Sequence, residues 1–597
     1  MPKTAFSMPA SLPLLAALAW PGLAAAQESS APCPEHPAAA IWTSPAAPAP
    51  GEPLRIMAVL SDGPAEGLSA TGPDGEPVVL DAAARGGPPW SLSAEIDNPA
   101  PGAYRVEIRR GGEAIACREV GVGRAARSNS NPDPGEWDTS AEAFYSAWIE
   151  RLFDAPPETD LSFPSLEPVL RDPERNFLHG HFGGNEDARL PATPDCADLP
   201  YFLRAYFAWK VGLPMSYRAC DRGAGGRPPH CGAPNLDPRF VDGPVPAASF
   251  NGLMRKIADT VHSGSARTAL AAEATDFYPV PLSRDALWPG TVYADPYGHT
   301  LIVAGWVPQT SGQSGILLAV DAQPDNSVSR KRFWEGTFLF ANVSSAGPGF
   351  KAFRPLVRDS GGRLRLPGNA GLAESAPVAP YSDDQAGLAP EDFYAQVGKL
   401  ANPRGLAPEQ AYEAMLDALA EQLRTRSESV ENGERYQRQH RGGVIPMPSG
   451  PAIFETMGAW EDYSTPSRDL RLLIAMQVLD RLPERIVRYP ELFALGGQSP
   501  EAARERIERL HPQRARERRF SYIRSDGSPW ELTVAEAMSR RAALEMGYNP
   551  NDCAEARWGA EPGTAEYATC TRHAPSEQKA RMAQYRTWFH EARRPTR

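Results

Sequence analysis

The stretch "PDCADLPYFLRAYFAWKVGLPMSYRAC" (194–220) sets Cys196 immediately ahead of a strongly apolar helical run. A thiol attacks carbonyl carbon as its thiolate, and a helix N-terminus or a neighbouring imidazole lowers its pKa. Two other residues complete a possible set. His299 follows the turn "DPYG" and heads the apolar run "TLIVAGW" (300–306), and Asp321 closes "GILLAVD" (315–321). If those runs are adjacent antiparallel strands, their ends meet and the carboxylate orients the imidazole that serves the thiol. Because "DAQPDN" also reads as a turn, Gln323 and Asp325 stand as alternatives to Asp321.

The helix that must carry Cys196 is well marked. Leu199, Phe202, Leu203 and Tyr206 recur at helical spacing, and Gly212 then Pro214 end the run. Pro200 cannot sit deep inside a regular helix. Either the helix starts near Leu199 with Asp198 as its cap, or Cys196 lies on an irregular first turn; both leave the thiol at the helix head.

The seven cysteines sort by segment into Cys33 with Cys117, Cys220 with Cys231 and Cys553 with Cys570, leaving Cys196 over. Disulfides persist in exported proteins, and the N-terminus has the form of an export signal. Lys3 supplies the positive end, "LPLLAALAW" (12–20) the apolar centre, and "GLAAAQ" (22–27) the small residues for cleavage after about Ala26. Residues 1–26 are therefore expected to be a signal peptide, with a periplasmic or secreted mature chain. No segment is long and apolar enough for a membrane span. An odd cysteine in such a protein is an intermolecular link or a reactive thiol.

At 597 residues the chain should divide into roughly three or four domains. A 42% hydrophobic fraction supports packed cores, and a net charge of −12 argues against nucleic acid as a partner. Residues 33–124 read as an immunoglobulin-like β-sandwich, with "EPLRIMAVL", "WSLSAEI" and "GAYRVEIRR" as alternating strands between turn-rich breaks. "NSNPDPGEWD" (129–138) reads as a linker, and Thr139 with Glu142 as a capping box for the helix that follows. Residues 138–370 are α+β, helices first and strands after, and 390–597 are helical. A linker is expected within 372–395. The arginine-rich "ARERIERLHPQRARERR" (503–519) reads as a solvated helix face.

The central region resembles the papain-like cysteine peptidase superfamily, across about 180–325. "FGG" (182–184), Asp195-Cys196 and Gly298-His299 are similar to the NlpC-type cell-wall peptidases, while "GLPMSYR" (212–218) and a strand-ending Asp321 resemble the transglutaminase-like proteins. The resemblance implies a hydrolase or acyltransferase acting on amide bonds, with Cys196 as nucleophile, His299 as base and acid, and Asp321 as orienter. Peptidoglycan stem peptides are the implied substrate; no cofactor or metal is implied. The chain departs from the NlpC pattern where Ala197-Asp198 replaces Ser-Gly and where no tyrosine precedes the Gly-Gly turn. That leaves the backbone N–H of Cys196 as the only oxyanion donor to name. The runner-up within enzymes is a transglutaminase-like protease or cross-linker, and the rival outside enzymes is a non-catalytic envelope scaffold. The loop between Cys220 and Cys231 reads as a lid or specificity insertion.

Other motifs carry less. "LHGH" (178–181) with Glu186 and Asp187 lacks a fourth metal ligand. "GVGRAA" (121–126) lacks the third glycine of a dinucleotide fingerprint. "AWEDYS" (459–464) reads as interdomain packing before a carbohydrate-contacting edge.

Overall fold

A computed structural model describes residues 33–123, 135–454, 456 and 458–595. The expected signal peptide and most of the 129–138 linker lie outside the described residues.

Residues 39–122 form two four-stranded antiparallel sheets. Alternating residues of both, among them Ile56, Ala58, Val106 and Ile108, meet in one core. Cys33 and Cys117 are bonded, as are Cys220 with Cys231 and Cys553 with Cys570, while Cys196 belongs to no disulfide. Among the described residues no helix is long and apolar enough to cross a membrane.

The centre of the molecule is a seven-stranded antiparallel sheet. Its strand order is Phe277–Pro279, Gly349–Phe353, Val292–Ala294, Thr300–Val307, Ile316–Ala322, Val328–Arg332 and Ser162–Phe163. The two continuous apolar runs are central strands, and they are apolar because both faces are covered. Ile302, Leu318 and Val320 pack with helices Thr139–Leu152 and Asp198–Val211, while Leu301, Val303, Leu317 and Ala319 pack with Phe333, Phe350 and Phe393 on the other side.

Two local readings need correction. Asp138, not Thr139, caps the first helix, accepting the Ala141 N–H at 2.7 Å. Glu142 is instead buried against Arg204 in a two-pronged ion pair at 2.7 and 2.5 Å, with the guanidinium over the Trp137 ring. The second correction concerns 372–395. This stretch holds helix Asn369–Glu374 and the start of helix Pro390–Ala401, and Leu372, Ala379, Phe393 and Tyr394 are built into the core beneath the sheet. The apolar residues there are too far apart to show helical periodicity, so the composition alone looks like a linker.

The remaining core gathers helices Pro408–Gln439, Pro466–Arg488 and Pro500–Glu517 with a small hairpin, Arg519–Ile523 and Pro529–Thr533. In helix Pro500–Glu517 only Ala503, Ile507 and Ala515 are buried, so its arginines form the solvated face expected. This helical region is tied to the central sheet by Arg332–Glu421 at 2.8 Å and to the turn after strand Val328–Arg332 by Arg485–Glu335 at 3.3 Å.

Candidate active site

Helix Asp198–Val211 begins two residues after Cys196, and the chain between is a tight turn. Asp195 makes that turn. Its Oδ1 accepts the N–H groups of Ala197 and Asp198 at 2.8 and 2.9 Å, and its carbonyl accepts the N–H of Leu199 at 3.0 Å. Asp195 thus satisfies the donors exposed at the helix start, and Cys196 rides on the irregular turn it closes. Pro200 falls in the first turn, where its missing N–H costs nothing. Burial, then the adjacent Asp195 charge, pushes Asp198 up to about 7. Asp198 is therefore only partly ionised at neutral pH, which weakens a charge that would oppose a thiolate at this helix head.

His299 is presented by an equally determined turn. The buried Asp295 accepts the Tyr297 N–H at 2.7 Å on one carboxylate oxygen and the Leu339 N–H at 3.3 Å on the other, and its own N–H donates to the His299 carbonyl at 2.8 Å. Gly298 occupies φ +119° at the point where the chain turns into the strand, a conformation other residues rarely adopt. The hydroxyl of Thr300 donates to the Cys196 carbonyl, so the strand start and the cysteine turn are bonded one residue from the imidazole.

Register brings a carboxylate to the ring. Ile302 opposes Val320, which leaves His299 and Asp321 on odd-numbered positions of neighbouring strand ends. His299 Nε2 lies 2.7 Å from Asp321 Oδ2. Asp321 does not stand alone: Lys331 Nζ contacts both of its oxygens at 2.6 Å, Gln323 Nε2 donates to Oδ2 at 2.7 Å, and the Ser329 hydroxyl donates to Oδ1 at 3.2 Å. Burial opposes ionisation, but Lys331 and His299 outweigh it and hold the Asp321 carboxyl well below the usual range. An ionised Asp321 only accepts, so His299 Nε2 carries the proton and Nδ1 has the lone pair. Burial is also the main force lowering the His299 pKa, with Arg471 and Lys331 adding to it; the hydrogen bond and charge of Asp321 oppose the change. The ring lies parallel to Phe338, centroids 6.1 Å apart.

Cys196, His299 and Gly298 line one cavity of about 130 Å³. Of the alternatives to Asp321, Gln323 bonds to Asp321 itself and Asp325 bonds to Ser327 and Asn432, so neither touches the imidazole. The loop closed by Cys220–Cys231 belongs to a separate hairpin, Met215–Cys220 with Cys231–Asp237, and its tip reaches a neighbouring pocket beside Tyr297.

Sequence reasoning missed the other wall. The roof of the cavity comes from the helical region: Glu461, Asp462 and Ser464 of "AWEDYS", then Ser467, Arg468 and Arg471 from the start of helix Pro466–Arg488. Arg468 donates to Gln323 Oε1 at 2.7 Å, which links that helix to Asp321 through one side chain. Arg594 closes the rim, donating to the Tyr297 carbonyl and the Ser467 hydroxyl, each at 2.6 Å. The available signal was the pair of arginines three apart at the head of the apolar run "LLIAM" in "SRDLRLLIAM" (467–476).

"LHGH" and its acids serve packing. Glu186 and Asp187 both hold the buried Lys210, at 2.6 and 2.8 Å, and His181 lies buried 3.1 Å from the Ser44 hydroxyl, its pKa lowered by burial to about 3.

No family model, no curated protein and no solved structure matches this chain.

Proposed function

We propose that this protein is an exported cysteine hydrolase or acyltransferase acting on amide bonds, with Cys196 as nucleophile, His299 as base and acid, and Asp321 as orienter. The observation that carries the reading is the His299–Asp321 hydrogen bond at the strand ends, facing one cavity with a cysteine at a helix head. In this reading His299 Nδ1 takes the thiol proton as sulfur bonds to the carbonyl carbon. The same proton passes to the amine as the C–N bond breaks, and water or an acceptor amine then releases the acyl group. The helix-then-sheet order supports a papain-like domain, and the two N-terminal sheets support an immunoglobulin-like domain that positions it. The export signal and the NlpC-like motifs favour peptidoglycan stem peptides over other amides. A transglutaminase-like activity shares every residue of this scheme and differs in the acceptor.

One observation favours the scaffold reading. A cavity of about 130 Å³ is below the ~300 Å³ at which ligand sites usually begin, so a peptide enters only if the roof moves. The experiment that decides is reactivity of Cys196 toward iodoacetamide in the folded, non-reduced protein, with turnover of a peptidoglycan-derived peptide in parallel. Cys196→Ala and His299→Ala are each expected to abolish turnover, with no further loss in the double variant. Alkylation of Cys196 as fast in His299→Ala as in the parent protein, with no turnover in either, establishes the scaffold instead.

A further inference from the structure

The site as described lacks an electrophile. Acyl transfer needs donors where negative charge develops on the carbonyl oxygen. At the cysteine turn the Ala197 and Asp198 N–H groups are already spent on Asp195 Oδ1. That leaves at most the Cys196 N–H from this side.

The roof offers a cation in its place. Arg468 and Arg471 sit one turn apart on helix Pro466–Arg488, and both line the cavity with Cys196 and His299. Most charges around them are engaged locally. Asp325 accepts from Ser327, at 2.6 Å from the hydroxyl, and from Asn432; Glu461 accepts the Thr456 N–H at 2.5 Å; Arg468 is held by Gln323. Arg471 differs. Among the described residues it makes no ion pair and no side-chain hydrogen bond, although it is only partly exposed and lies between the catalytic cavity and the smaller pocket around Asp321 and Lys331. Its guanidinium is half-buried at the cavity wall and bonded to no carboxylate among the described residues, so it is available to a charge that arrives in the cavity. Its electrostatic neighbours include Asp295, Asp321 and Cys196.

We infer that Arg471 is the anion-holding residue of the active site: it faces the Cys196 thiolate in the resting enzyme and the carbonyl oxyanion in the transition state, so the helical region completes the catalytic centre. This rests on the hydrolase reading of Cys196 and His299. No bond to Arg471 forms or breaks; it remains protonated and donates N–H groups to the oxygen as the C–S bond forms.

The test compares alkylation of Cys196 by iodoacetate, an anion, with alkylation by neutral iodoacetamide, using the full chain with its disulfides intact. Arg471→Gln is expected to lower the iodoacetate/iodoacetamide rate ratio at least tenfold, and Arg471→Lys to keep it within threefold of the parent value. Arg488→Gln, at the far end of the same helix and paired with Glu391, is expected to leave the ratio unchanged. On a peptide or thioester substrate the Gln variant should lose kcat while KM changes little, because the interaction is made in the transition state. A ratio unchanged in Arg471→Gln, or lowered equally in the Lys variant, overturns the assignment. Failure of the hydrolase reading looks different: His299→Ala then leaves both alkylation rates at parent values whatever Arg471 does.

Discussion

Asp321→Asn tests how the carboxylate beside His299 is held. Four side chains direct donors at its two oxygens: Lys331, His299, Gln323 and Ser329. An amide keeps one acceptor oxygen and turns two N–H groups toward those donors, so at most two of them remain satisfied. The larger cost is Lys331, left as a cation with no carboxylate. Asp321 is 1% exposed and Lys331 19% exposed, which places the loss at the lower end of the ~3–5 kcal/mol for breaking a buried pair, about 3 kcal/mol. Lys331→Met strands the carboxylate instead and should cost a similar amount. The double variant Asp321→Asn/Lys331→Met strands neither charge, and only one or two neutral donors go short, about 1–2 kcal/mol in all. The expected coupling energy therefore exceeds ~2 kcal/mol. Urea unfolding measures it, read by the accessibility of Cys196, the cysteine outside the three disulfides. Single-variant losses that simply add in the double variant would refute the claim that Lys331 is the counter-charge of Asp321.

Three further outcomes follow from the same geometry. His299 should titrate below 6.5 in the folded protein by NMR, and its midpoint should move up in Lys331→Met, because that cation opposes the imidazolium. With the folded pKa of His299 and of Asp321 both depressed, their stabilising contributions are complete above the unfolded values. They are lost as pH falls, from about 6.5 for the histidine and from about 4 for the carboxyl, so a stability curve that rises on acidification through that window contradicts both. Limited proteolysis should spare 372–400, since Phe393 and Tyr394 are core residues, and early cutting there would show that this packing is wrong.

Cys196, His299 and Asp321 were legible as candidates because each sits at a boundary that composition marks. Cys196 precedes an apolar helix, His299 follows a Pro-Tyr-Gly turn, and Asp321 follows an unbroken apolar run one residue before its strand ends. The disulfide partners were legible for a similar reason, because each pair lies within one segment. What was not legible depends on contacts between distant parts of the chain. Lys331 reaches Asp321 from the next strand through register, and Arg468 and Arg471 reach the site from about 270 residues further on, by the docking of one helix. Glu142 illustrates the limit of local patterns. Its spacing from Thr139 matches a capping box, but burial beside Arg204 took the carboxylate elsewhere.

The roof changes what the helical region is for. If it only covered the cleft, its contacts with the site would be apolar and separable from the chemistry. Instead Arg468 bonds to Gln323, which bonds to Asp321, which bonds to His299, so an unbroken chain of hydrogen bonds runs from helix Pro466–Arg488 to the imidazole. Displacing that helix would free the Gln323 side-chain carbonyl and withdraw both arginines from the cavity. In the arrangement the structure holds, the ring is bonded to Asp321 and Arg471 lines the same cavity as Cys196. On the proposed function, opening would serve access and closing would serve attack, and a substrate that neutralises Arg471 would supply the differential contact that favours the closed form. On the same proposal, admitting a peptide and polarising its carbonyl both fall to one helix, Pro466–Arg488, far in sequence from the proposed nucleophile at the head of helix Asp198–Val211.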